Sequence, residues 1–336
     1  LGVTGWYFLN GDDVPTREAR WKSTAGSSFG GRPVVSGGLV FSSSWDGCLY
    51  AVDAAAGKQR WKVRVGEERA DDRSPTVSGG LVYASGTKYL YALHADTGEE
   101  RWRFSTGDNV YSAPTVSGGL VCVTGDDAYL YAVDAVTGKQ RWKYATEADS
   151  NFQVSPTVSG GLVYVGMSDD LYALDAATGK KRWNYRTFGT VSSWPPVVAQ
   201  GAVYVGNDLG ELHALSASGG EQLWRFATGS GNGSFKSPVV TREVVYVSGE
   251  GGYLYAVGAT TGQQHWKFSS DNELSSPAAS GGVVYVGSDD YYLYAVDATT
   301  GKRRWRFLSG GTTSSSPTVS DGLVYIGGTH LYALPV

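Results

Sequence analysis

One interval constrains this chain more than any other feature. A leucine is followed twelve residues later by a tryptophan, and the pair occurs seven times: Leu49 with Trp61, Leu90 with Trp102, Leu130 with Trp142, Leu171 with Trp183, Leu212 with Trp224, Leu254 with Trp266 and Leu293 with Trp305. Each interval reads as strand, tight turn, strand. In the last, Leu293 to Val296 alternates bulky and small apolar residues, as a half-buried strand does. Asp297, Thr300 and Gly301 follow. An Asp side chain bonds backbone amides two or three residues on, and glycine accepts the positive φ that such turns require. Trp305 and Phe307 then share one face of the next strand, and Arg304 and Arg306 share the other. An eighth copy, Leu331 to Leu334, has no Trp after it, while Trp21 near the other end has no partner before it.

The copies recur about every forty residues. In a chain of 336 residues this argues for one repeat architecture rather than two unrelated domains. Each unit carries four strand signals, A to D. Strand A opens on a proline: Pro33, Pro75, Pro114, Pro156, Pro196, Pro238, Pro277 and Pro317. Proline is acceptable as a first strand residue, where its missing N–H is not needed. Eight residues later stands the strand B side chain: Phe41, Tyr83, Cys122, Tyr164, Tyr204, Tyr246, Tyr285 or Tyr325. Strand C is of the type Leu-Tyr-Ala-Val and strand D of the type Arg-Trp-Lys-Phe. Glycine (47), Tyr (22) and Trp (11) are abundant, which suits many short strands and tight turns.

Eight such units predict an all-β fold: an eight-bladed β-propeller of four-stranded antiparallel blades. A lone blade would leave both apolar faces wet, and a closed ring buries them. Residues 16–336 form the propeller. Arg20-Trp21-Lys22 supplies the missing strand D of the last blade, so an N-terminal strand closes the ring and covers an edge that would otherwise invite pairing. The strand D tryptophans Trp21, Trp61, Trp102, Trp142, Trp183, Trp224, Trp266 and Trp305 are expected to be structural. Cys48 and Cys122 lie in apolar strand patterns of non-adjacent repeats and read as buried free thiols.

The motif Ala-x-Asp-Ala-x-Thr-Gly-Lys-x-x-Trp, seen here as Ala132 to Trp142, resembles the tryptophan-docking motif of quinoprotein-type (PQQ-like) propellers. Its fullest copies end at Trp61, Trp142, Trp183 and Trp305. Its Asp is lost at Ser216, Gly258 and Pro335. The resemblance covers the chain after Asp13 and implies the fold. It leaves function open among quinone-dependent dehydrogenases, an outer-membrane assembly lipoprotein, and the sensor domains of bacterial receptor Ser/Thr kinases.

Loop lengths divide the two faces. The A–B and C–D connections are constant. The D–A connection is not: Trp to Pro is 12 residues from Trp21, 14 from Trp61 and 11 from Trp266. The B–C connection also varies. In an up-and-down blade these two variable connections share one end, so ligand or partner recognition is expected there, at the mouth of the central channel. The candidate rim residues are Arg32, Trp45, Arg73, Tyr111, Gln153, Trp194, Lys236 and Glu273, with Ser314 completing the ring. Arg32, Arg73 and Lys236 suit an anionic group, although Glu273 stands among them.

Catalytic signals are few. His94, His213, His265 and His330 have no metal-ligand spacing. Gly26-Ser27-Ser28-Phe29-Gly30 matches a nucleophile elbow but falls between strands rather than between strand and helix. Asp126-Asp127, Asp169-Asp170 and Asp289-Asp290 occupy B–C turns, where turn capping accounts for them. The dehydrogenase relatives carry adjacent cysteines over the quinone and a calcium-binding carboxylate set. This chain has no Cys-Cys pair, so neither cofactor nor metal is expected. The charge of −4, with no basic stripe, argues against nucleic acid.

Residues 1–15 read as a linker. Leu1 to Leu9 is apolar, ends in Trp6-Tyr7-Phe8 and breaks into Asn10-Gly11-Asp12-Asp13. It is either the end of a membrane helix or an arm packed on the domain; no span of about twenty apolar residues is present. The expectation is a non-catalytic, monomeric sensor propeller outside the cytoplasm, tethered through a segment preceding Leu1 and joined to a Ser/Thr kinase. A periplasmic assembly scaffold is the alternative, and a quinone-dependent dehydrogenase comes third.

Overall fold

The computed structural model describes residues 17–67, 74–110, 112–145, 154–191, 194–229, 233–310 and 315–336. Among them the secondary structure is all β: eight four-stranded antiparallel sheets form the blades of a closed ring. In blade 1 strand A is Phe29–Ser36, B is Leu39–Ser44, C is Cys48–Asp53 and D is Gln59–Arg64. The A strands neighbour one another around the axis, and the D strands lie outside. Thr76, Thr157 and Thr318 tie adjacent A strands together, each hydroxyl donating to the carbonyl of Pro114, Pro196 or Pro33 of the next blade at 2.6 Å.

The ring closes as the sequence predicts. Blade 8 is Thr318–Ser320, Leu323–Ile326 and Leu331–Pro335, completed by Trp21–Ser23, with Trp21 opposite Ala333. Trp21, Tyr325, Leu331 and Ala333 then share one core with Phe29, Val40, Tyr50 and Val52 of blade 1. Comparable cores fill the other seams.

Every strand D tryptophan faces an alanine of strand C: Ala51 opposite Trp61, Ala132 opposite Trp142, Ala295 opposite Trp305. The small residue leaves room for the indole, which rests on the strand B aromatic of its own blade. Phe41 and Trp61 have ring centroids 5.8 Å apart, Tyr83 and Trp102 5.9 Å, and Tyr325 and Trp21 5.9 Å. In blade 3 the aromatic is replaced by Cys122, fully buried and free. Burial pushes its thiol far above the ordinary range.

Six of the eight indoles also bond the next blade. The Nε1 groups of Trp61, Trp142 and Trp224 donate to the carbonyls of Ala95, Ala176 and Ala259 at 2.8, 2.9 and 2.8 Å. The turn glycine beside that carbonyl lies against the ring: a Cβ on Gly138 would stand 2.7 Å from Trp102, and φ there is +69°. That contact explains why the motif asks for glycine after threonine. Its aspartate organises the same turn. Asp134 accepts the amides of Val136 and Thr137 and pairs with Arg141 at 2.6 Å, which holds its carboxyl well below the usual carboxylate range. At Trp305 no described glycine fills this place, and the Arg17 guanidinium stands 5.6 Å from the ring centroid.

Candidate functional site

The B–C turns and D–A loops converge on one end of the ring, and five of the predicted rim residues contribute to it in different ways. Arg32 lies within strand A of blade 1, where the register shifts between Gly30 and Val34. Its amide donates to the Ser74 hydroxyl of blade 2 at 2.8 Å, and its guanidinium passes over blade 8 to the Pro277 carbonyl of blade 7 at 3.2 Å. It borders an axial cavity of about 360 Å³ with Pro33, Val34, Pro277 and Pro317. Trp194 of blade 5 and Lys236 of blade 6 meet across their seam, with the ammonium 4.9 Å from the ring centroid. Trp45 sits half-buried in the B–C turn of blade 1, its amide donating to the Ser28 carbonyl at 2.9 Å. Glu273 turns to the preceding blade, where it accepts the Gly251 amide at 2.9 Å. Arg73, Tyr111, Gln153 and Ser314 lie outside the described residues.

The B–C carboxylates bond strand C. Tyr50 donates to Asp46 at 2.5 Å, and Tyr131 and Tyr294 make the same bond to Asp127 and Asp290. Burial, reinforced by that acceptor, pushes the Tyr50 hydroxyl up to about 12. Asp169 pairs with Arg186 at 2.6 Å. No group of three His, Cys, Asp or Glu residues able to hold a metal exists among the described residues. Gly26 to Gly30 lies at the entry of a strand, as expected, with Phe29 in the core.

His213 takes the tyrosine position in blade 5 and builds a different cluster. Its Nδ1 lies 3.3 Å from the Tyr185 hydroxyl, and its Nε2 lies 3.4 Å from Glu211 and 3.5 Å from the Asn207 amide. Tyr185 donates to Gln222 at 2.5 Å, and Arg225 pairs with Glu211 at 2.9 Å. Burial holds the imidazole below its ordinary value, against the pull of Glu211.

Sequence reasoning passed over the most exposed large apolar side chain among the described residues of this face. Phe188, in the D–A loop after blade 4, is 78% exposed with φ +60°. The corresponding residue is Gly107, Gly229 or Gly310 after three other blades, each with positive φ. The same loop packs on the B–C turn of blade 5, where Leu209 is 41% exposed. Tyr291 repeats the pattern in blade 7: φ is +73° and the side chain is 48% exposed, where blades 1, 5 and 6 have Gly47, Gly210 and Gly252. An aromatic in a glycine's place was the signal available in the sequence. The opposite face is not featureless. A recess of about 860 Å³ opens there between blades 3, 4 and 5, beside Arg141, Arg182 and Trp183. Both arginines are paired within their own blades, to Asp134 and Asp175.

A family model described as outer membrane protein assembly factor BamB matches residues 12–89, 81–193, 187–280 and 250–334. The chain belongs to this family of PQQ-like repeat propellers. BamB from Moraxella catarrhalis superposes with a TM-score of 0.80 over 96% of this chain and 100% of its own, at 17% identity. The quinohemoprotein alcohol dehydrogenase of Comamonas testosteroni superposes with a TM-score of 0.77 over 96% of this chain and 76% of its own, at 16% identity. At these identities the likeness is one of fold. A polyvinylalcohol dehydrogenase of Sphingopyxis sp. (strain 113P3) is 32% identical over 95 residues, which is 24% of this chain and 14% of that enzyme. The BamB-like fold thus sits among scaffolds and dehydrogenases alike.

Proposed function

We propose that this propeller is a non-catalytic recognition domain that works outside the cytoplasm and binds a partner on its B–C/D–A face. Phe188 carries the reading. A non-glycine residue in the left-handed region costs about 1–3 kcal/mol, and such strain collects at functional sites. Here it presents an aromatic ring to solvent beside Leu209, the kind of anchor that dominates binding energy once covered. The chain's polar groups support a non-catalytic role, because the B–C carboxylates are engaged by tyrosines and arginines of the scaffold. The family's outer-membrane membership supports the extracytoplasmic setting.

In its finer form the proposal makes this chain the sensing domain of a membrane-anchored Ser/Thr kinase, tethered through the segment before Leu1. The apolar run ending in Trp6-Tyr7-Phe8 favours that reading. A second reading, an assembly scaffold at the outer membrane, is favoured by the family match.

Two experiments separate these readings. A photo-crosslinking amino acid in place of Phe188 should capture a defined partner in the native host. The same probe in place of Val136, 60% exposed on the opposite face, should not. Equal capture at both positions overturns the assignment of the face. Reading the coding region upstream of Leu1 decides the finer form. A kinase domain followed by a hydrophobic span is expected; a lipoprotein signal with its cysteine transfers the protein to the scaffold reading.

A further inference from the structure

In blade 6 a strand C tyrosine turns its hydroxyl toward a cavity. In blades 1, 3 and 7 the tyrosine after the strand C leucine donates to a carboxylate four residues earlier, as Tyr50 does to Asp46. In blade 6 that earlier residue is Gly251, and the tyrosine is Tyr255. Tyr255 is only 7% exposed, yet its hydroxyl has no hydrogen-bond partner among the described residues. Its ring is fixed by Phe226, Phe235 and Tyr253, with centroids 5.4, 6.0 and 6.0 Å away.

A cavity of about 270 Å³ opens at the seam of blades 5 and 6, on the B–C/D–A face. Gly210, Gly229, Gly233 and Gly249 line it without side chains, and Tyr253, Tyr255 and Phe235 supply aromatic surface. Two charged groups of opposite sign border it. Glu250 holds its place by accepting the Ser234 amide on Oε1 at 3.3 Å, which leaves Oε2 to accept from a ligand. Lys267 lies with its ammonium 4.9 Å from the Tyr253 ring centroid.

We propose that this cavity binds a single sugar ring. The chemistry is that of a polyol site. A carboxylate accepts from hydroxyls, an ammonium donates to them, and the phenol of Tyr255 does either. The aromatic surface covers the C–H groups of the ring. The two charges cancel, so neither a strongly anionic nor a strongly cationic ligand is favoured. The volume lies near the lower end of small-ligand pockets, which start at about 300 Å³; it admits one six-membered ring and not two. Either a free monosaccharide or the end of a glycan presents this chemistry.

The test is ligand-observed saturation-transfer NMR on the full chain with glucose, galactose, mannose and N-acetylglucosamine, their methyl glycosides and the matching disaccharides. Transfer from at least one sugar is expected, with affinity reduced about tenfold by Tyr255→Phe and by Glu250→Gln, the loss of roughly one hydrogen bond. Tyr255→Phe should leave the melting temperature unchanged, because the hydroxyl it removes bonds nothing in the fold. Glu250→Gln keeps the acceptor for Ser234. Binding of the disaccharides assigns the site to glycan ends, and binding of monosaccharides alone assigns it to free sugars. No transfer from any sugar at tens of millimolar, or an affinity in both variants equal to the parent's, overturns the proposal.

Discussion

The indole of Trp21 donates to the carbonyl of Ala54 at 2.9 Å, joining the outer strand of blade 8 to the C–D turn of blade 1. This is the same bond that Trp61 makes to Ala95 and Trp142 to Ala176. The N-terminal strand therefore completes a sheet and also fastens the ring's final seam.

Trp21→Ala should destabilise the propeller by about 3–5 kcal/mol, the usual result of truncating a buried tryptophan. Deleting residues 1 to 24 should open or unfold the ring, because the Leu331–Pro335 edge and the core shared with Phe29 would both be stripped. Thermal melts by circular dichroism and size-exclusion chromatography read the outcome. A truncated protein as soluble and heat-stable as the parent would refute closure by this strand.

Gly138→Ala should cost about 1–3 kcal/mol although it adds one methyl group. The new Cβ meets the Trp102 ring at 2.7 Å, and the φ of +69° is unfavourable for alanine. Gly160→Ala, at a φ of +58° with nothing within 4 Å, supplies the comparison without the clash. If both variants shift the denaturation midpoint equally, backbone strain alone explains the loss and the indole contact is irrelevant.

His213 makes stability depend on pH. Its folded imidazole takes a proton at a lower pH than in the unfolded chain, where the value is about 6.5. Between those two values the unfolded chain binds more protons, so stability rises with pH and is lost as pH falls below about 6.5. Glu211 opposes this effect, Arg225 adds to it, and Tyr185, Gln222 and Asn207 bond the ring or its neighbours. Urea denaturation between about pH 7 and 5 should show stability falling with pH in the parent. His213→Gln should flatten it; an unchanged slope would place the titration elsewhere.

Phe188→Gly should weaken partner binding while leaving stability level or raising it by up to about 1 kcal/mol, since glycine takes the φ of +60° without strain. A large loss of stability would mean that the ring packs on the body of the protein in solution.

Cys122 should resist thiol reagents until the protein unfolds, because it is fully buried and its thiol stays protonated at any ordinary pH. Release of its thiol under native conditions would show that the seam between blades 3 and 4 opens.

The fold was legible because its determinants are local and repeated. Proline, strand B aromatic, strand C alanine, turn glycine and tryptophan recur at fixed offsets, and each does one steric job in one seam. The face of the B–C turns and D–A loops was less legible, because its contacts join residues with no fixed offset. Nothing near Arg32 announces that it bridges to Pro277, 245 positions away. That reach is set by the curvature of the ring. Glu273 looked like a rim charge, and its turn toward Gly251 depends on how one loop lies over the preceding blade. Phe188 was visible only as a break in the pattern, an aromatic where glycine is usual.

The bonds from Trp21, Trp61, Trp102, Trp142, Trp224 and Trp266 all run forward to the following blade. The assembly is therefore shingled: each tile overlaps its successor in one rotational sense, and all the overlaps lie at the rim of one face. Tiles pinned along that edge leave the loops at the opposite edge free to change in length and chemistry without loosening the circle.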